Sequence, residues 1–193
     1  MKAPTQYVLF IVSIMLFLCG FQVFAKDVPS ARKIEEYRKA AQQGNADAKC
    51  KLGVCYAMGQ GVVKDDSEAI KWYRKAAEQG NVDAQNSFGA CYTIGQGVVK
   101  NDSEAVKWYR KAADQGHAGA QLNLGALYWN GDGVVKNEVE GYKWALLAAA
   151  QGNEAAKKNA FNNELRLSPA QRAEGQRLAT EWQAKFEAAH PAK

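Results

Sequence analysis

An all-α, right-handed α/α solenoid (superhelix) of stacked helix-turn-helix repeats is the fold class this sequence predicts, on two observations. A block of thirty-six residues recurs three times without a gap, at 44–79, 80–115 and 116–151. Within each block the apolar residues follow the helical period twice, with a glycine-rich break between the two stretches. A fixed period in this range marks an array in which each unit buries its apolar face against the next. Arrays of this kind present long surfaces instead of deep pockets, so the pattern points to binding before catalysis.

The N-terminal segment stands outside the array. Lys2 supplies a positive start, Tyr7 to Cys19 is a short apolar stretch, and Val23-Phe24-Ala25 ends in a small residue. Together they predict a signal peptide over 1–25 with cleavage after Ala25, and hence a periplasmic or secreted protein with no integral membrane span once cleaved. A retained anchor is the alternative; the polar Lys26-Asp27 that follows at once argues against it. A lipoprotein would use Cys19, but bulky Leu18 precedes it.

Residues 26–43 follow as a half-repeat. Ile34 to Gln43 matches the second helix of a full unit, as in Ile70 to Gln79, and covers the first repeat. In that repeat the first helix, helix A, is predicted from Ala46 to Met58, with a stripe of Ala48, Leu52, Cys55 and Tyr56 at i, i+4, i+7 and i+8. The second repeat answers with Ala84, Phe88, Cys91 and Tyr92, the third with Ala120, Leu124, Leu127 and Tyr128. Gly59, Gly95 and Gly131 end helix A, and the first valine of each Val-Val-Lys can tuck under the pair.

Helix B is expected to open with a reciprocal capping box, Asp65 with Glu68, Asn101 with Glu104 and Asn137 with Glu140. Its inward stripe in the second repeat reads Ala105, Trp108, Ala112 and Ala113. Gly53, Gly89 and Gly125 lie inside helix A, where glycine costs about 1 kcal/mol against alanine, so a close helix–helix approach is expected there. Residues 152–190 form a degenerate helix A and a C-terminal capping helix. Ser168-Pro169-Ala170-Gln171 starts that last helix, and Leu178, Trp182 and Phe186 share one face.

Leu52-Gly53-x-x-Tyr56, Gly59-x-Gly61-Val62 and, after Asp65, Ala69, Trp72, Ala76-Ala77 and Gly80 together resemble the Sel-one-like repeat (SLR), a relative of the tetratricopeptide repeat. The resemblance spans residues 31–166, and Leu167 to Trp182 looks like the helix that often closes bacterial members. It implies a tetratricopeptide-like array and an adaptor role, binding a protein or peptide, in an envelope complex or towards a host protein. The third repeat departs at Gly141 and Ala145, where the usual alanine and aromatic are lost, so its helix B is expected to be looser. A cysteine-rich subgroup carries a disulfide per repeat, and some of its members are described as penicillin-binding or weak β-lactamases. The Ala76-Ala77 and Ala112-Ala113 pairs here hold no cysteine, so that pattern is absent and an envelope enzyme is the weaker alternative.

If helix A lines the concave side, its face opposite the core should meet the partner. That face predicts Asp47, Cys50, Val54, Ala57 and Met58 in the first repeat, then Asp83, Asn86, Ala90, Thr93 and Ile94, then Gly119, Leu122, Ala126, Trp129 and Asn130. The partner-binding set drawn from these is Cys50, Val54, Ala57, Met58, Asn86, Ala90, Thr93, Ile94, Leu122, Ala126 and Trp129. The competing reading packs several of them against a neighbouring repeat.

Other chemistry finds little support. The formal charge of +5 is spread among both signs, with no basic run interleaved with stacking aromatics, so nucleic acid is not expected. Removal of the leader would leave Cys50, Cys55 and Cys91. Cys50 and Cys55 are separated by about 7.5 Å of helical rise and face apart, and Cys55 and Cys91 sit on helices about 8–10 Å apart. Cys55 and Cys91 read as small buried side chains, and the odd count leaves Cys50 as the thiol that could be exposed. Ser30-Ala31-Arg32-Lys33 fits S-x-x-K, but neither SDN nor KTG occurs. The Gly-x-Gly pairs follow helices and lack a GK[ST] ending. Capping accounts for Asp65, Asp66 and Glu68, and Trp72, Trp108 and Trp144 read as core. No catalytic residue, cofactor or metal is expected.

Overall fold

The computed structural model describes residues 28–191; the expected leader, with its cleavage after Ala25, lies outside them. Nine helices occur among the described residues: α1 (Ala31–Gln42), α2 (Ala46–Met58), α3 (Asp66–Glu78), α4 (Val82–Ile94), α5 (Asp102–Asp114), α6 (Ala118–Asn130), α7 (Glu138–Ala150), α8 (Glu154–Glu164) and α9 (Pro169–Ala189). From α1 to α8 each helix packs on the next, as stacked pairs. Helices α2, α4 and α6 form the A layer, and α3, α5 and α7 the B layer.

The helix ends follow from local chemistry. Asn45, Asn81, His117 and Asn153 cap α2, α4, α6 and α8, each accepting from the backbone N–H three residues on, at 2.8, 2.8, 3.0 and 2.9 Å. Each B helix is half a capping box. Asp65, Asn101 and Asn137 accept from the N–H of Glu68, Glu104 and Glu140, but the glutamates do not reach back. The cap residues' own N–H groups already donate to the carbonyls of Tyr56, Tyr92 and Tyr128, at 3.0, 2.9 and 2.9 Å, which ties each B helix to its A helix. Glu68, Glu104 and Glu140 turn instead to Lys71, Lys107 and Lys143. The full box forms at Ser168, where Gln171 Oε1 accepts from the Ser168 N–H at 3.0 Å.

Between A and B helices runs a Gly-x-Gly turn that sits on the preceding repeat. Gly97 has φ +70°, and a Cβ there would lie 2.4 Å from the Asp66 carbonyl oxygen, so only glycine meets both demands. The first valine, Val62 or Val98, packs into the core, as the turn pattern suggests.

Leu52, Phe88 and Leu124 are fully buried on the A helices. On the first two B helices, however, Tyr73 and Tyr109 fill the interface and lie over Gly53 and Gly89, while Trp72 and Trp108 are half-buried. The third repeat is tighter than expected. With Gly141 and Ala145 in place of alanine and tyrosine, the α6 and α7 backbones close up. A Cβ on Gly125 or Gly141 would meet the other's carbonyl oxygen at 2.9 Å.

The C-terminal helix departs from the hairpin plan. Helix α9 packs on α7 instead of forming a close pair with α8. Its Trp182 ring meets Trp144 edge-on at 5.8 Å and stacks on Phe186 at 4.9 Å. Phe186 in turn covers Gly116 at the α5–α6 turn. This leaves Phe161 of α8 and Leu165 at its C-cap exposed, at 60% and 70%.

Candidate interaction surface

The A helices divide the expected binding residues into three groups. Cys50 and Ala57 are buried, each 8% exposed, in a cluster with Phe88 and Cys91 of α4, so they form the junction between repeats and cannot line an open face. Val54, Asn86, Ala90, Thr93, Leu122, Ala126 and Trp129 are half-buried. Met58 and Ile94 are open, at 69% and 71%. Stacking explains the division. The flank carrying residues 50 and 57, two turns apart, is taken by the next A helix. Asn86 points the same way and accepts from Asn123 Nδ2 at 3.3 Å. Trp129 lies under the Arg166 guanidinium, 5.3 Å from the ring centre, with its backbone against Gly141.

Cys50 is therefore not the exposed thiol. All three described cysteines are free and buried. Burial, followed by the charges of Asp83 and Asp47, pushes the Cys50 thiol from an ordinary 9.0 up to about 11. Burial, followed by Asp66, pushes Cys91 to about 11 as well. Such thiols hold little thiolate at neutral pH and act as packing groups.

One feature of the open edge escaped the helical periodicity. Val63, Val99 and Val135, the second valines of the three turns, are 88%, 87% and 86% exposed. They stand on the turns that follow the helix ends bearing Met58 and Ile94. The signal lay in the turn itself: adjacent residues in an extended turn point apart, so when the first valine tucks in the second faces water.

The groups with catalytic or metal-binding spacing are occupied structurally. Ser30 Oγ accepts from the Lys33 N–H as the cap of α1, and Lys33 Nζ donates to Glu36 at 3.0 Å. That hydrogen bond raises the Lys33 pKa, opposite to what a lysine base needs. Asp65 caps α3, Asp66 Oδ1 accepts from Gln96 Nε2 at 2.8 Å, and Glu68 holds Lys71. Among the described residues no helix is long and apolar enough to cross a membrane.

The Sel1 repeat pattern matches residues 37–45, 46–81, 82–117 and 118–153. Three solved structures are similar. A protective antigen present in uropathogenic Escherichia coli strains, displaying an SLR fold, is 31% identical with a TM-score of 0.76, over 83% of this chain and 36% of that one. A Sel1 repeat protein from Oxalobacter formigenes is 38% identical with a TM-score of 0.66, over 74% of this chain and 58% of that one. Helicobacter pylori cysteine rich protein B is 25% identical with a TM-score of 0.52, over 65% of this chain and 95% of that one. The chain thus spans 36% and 58% of the length of the first two. No curated protein matches it.

Proposed function

The chain belongs to the Sel1 repeat family, and on that premise we propose that it is an exported scaffold that binds a protein or peptide partner along its A-helix layer. The observation that carries this reading is the row of exposed apolar side chains at one edge of that layer: Met58 and Ile94 on the helices, Val63, Val99 and Val135 on the turns. An apolar row that recurs once per repeat suits an extended segment or a helix laid along the array. The array supplies rigidity, and the positions that differ between repeats, Met58, Ile94 and Asn130, supply selectivity. The expected leader over 1–25 supports an exported location. The partner and the compartment, periplasmic or secreted, are part of the proposal.

A photo-crosslinking residue placed at Met58 or Ile94 in the native host tests it, followed by mass spectrometry of the adduct. One discrete adduct is expected, lost in the Met58→Asp, Ile94→Asp double variant while circular dichroism stays unchanged. An adduct pattern identical to that of a probe at exposed Lys185, or untouched by the double variant, refutes the reading.

A further inference from the structure

The B layer carries a second surface that the linear sequence conceals. Arg74 and Lys75 of α3 recur one repeat later as Arg110 and Lys111 of α5. Each rests on an aromatic ring. The Arg74 guanidinium lies 5.8 Å from the centre of Phe88, and Lys75 Nζ lies 4.9 Å from Trp72. Arg110 lies 5.2 Å from Tyr128 and 5.3 Å from Trp144, and Lys111 Nζ lies 4.1 Å from Trp108. Trp108 also packs on Phe88 at 5.0 Å, so rings and cations form one band across the repeats. Among the described residues none of these four cations has a carboxylate within ion-pair reach. The band is basic and pre-ordered by the rings beneath it.

The third B helix shows what this position is shaped to receive. In the same register α7 has Leu146 and Leu147 in place of arginine and lysine, and there α9 lies on the layer, with Leu147 and Ala179 in one buried cluster. The chain's own helix thus occupies the equivalent ground on α7, and its end, at Trp182 and Phe186, stops beside Trp144 and Gly116, next to Arg110.

We propose that the band on α3 and α5 is a docking site for an acidic amphipathic helix of a partner protein, seated on the B layer as α9 is seated on α7. Arg74 and Lys75 on α3 and Arg110 and Lys111 on α5 supply two groups of positive charge, one per repeat, that carboxylates along one face of a helix can answer. A helix with carboxylates recurring along one face can answer the α3 pair and the α5 pair together. Duplex nucleic acid carries a charge every ~1.7 Å of its axis and leaves most of them unmatched here. This surface is independent of the apolar row on the A layer.

The test uses fluorescence anisotropy of a labelled, designed amphipathic peptide with glutamate recurring every seventh position. Binding is expected to weaken about tenfold between low and physiological salt, and about tenfold again in the Lys75→Gln, Lys111→Gln variant. The Lys64→Gln, Lys100→Gln variant removes equal charge from the turn edge and should bind as the parent does. Circular dichroism controls for folding. No binding by the glutamate peptide, equal binding by its lysine counterpart, equal loss in both variants, or tighter binding of duplex DNA or anionic vesicles each overturns the proposal.

Discussion

Substituting alanine for Gly141 sets two opposing effects against each other. In the middle of α7 the change favours the helix by about 1 kcal/mol on intrinsic propensity. The new Cβ would stand 2.9 Å from the Gly125 carbonyl oxygen and 3.0 Å from the Trp129 nitrogen, with the Trp129 Cα at 3.2 Å. All three obstacles are α6 backbone, so no side chain can swing aside, and the helices must part along a tightly packed interface. Overpacking of this kind costs about 1–3 kcal/mol, and here belongs at the upper end. The net loss is about 1–2 kcal/mol, or about 2–8 °C in Tm for a chain of this size. Gly119→Ala is the internal control. It also lies in a helix, but its Cβ would meet only side chains, the His117 ring at 3.0 Å and Asn86 Nδ2 at 4.0 Å. It should leave Tm unchanged or raise it slightly. Thermal and urea unfolding followed by circular dichroism measures both. If Gly141→Ala raises Tm together with Gly119→Ala, propensity outweighs contact and the close backbone packing of α6 on α7 is wrong.

Gln121→Ala should lower stability by about 2–3 kcal/mol, read as a shift in urea midpoint at constant slope. The side chain is 0% exposed, its Nε2 donates to the Ala113 carbonyl at 3.2 Å, and its Oε1 accepts from Gln151 Nε2 at 2.8 Å. The thiols make stability fall at alkaline pH. Folding raises Cys50 and Cys91 from 9.0 to about 11, so their contribution is complete below pH 9 and disappears as pH climbs towards 11. Urea titrations across that window should show a decline that shrinks in the Cys50→Ala, Cys91→Ala variant, and a flat profile in both proteins would contradict the burial.

Much of the fold was legible because the repeats restate each local signal. The span Ala46–Met58 follows from one stripe read against the two that repeat it. What escaped the sequence has a common cause: one helix wheel describes one helix, and stacking gives each helix several neighbours. Trp108 and Tyr109 are adjacent, about 100° apart on the wheel, and the stripe put Trp108 inward where the structure buries Tyr109 and leaves Trp108 half-buried. Cys50 and Ala57 lie off the core stripe yet are buried by α4. The terminal helix left its trace in the register, where Arg-Lys at 74–75 and 110–111 becomes Leu-Leu at 146–147, an apolar pair that makes sense once α9 lies on it.

Gly141 and Ala145 invite the wrong inference when taken singly, since losing a methyl group and an aromatic ring suggests a void. Taken with Gly125 they are complementary. In the first two repeats glycine on helix A makes room for a tyrosine ring from helix B. In the third both partners are small, and the backbones close the gap the ring would have filled. That contact fixes α7, the helix on which α9 docks, against α6, so close backbone packing supports the departure from the hairpin plan. The substitutions in this repeat are thus compensations for one another, and their effects on stability should not add.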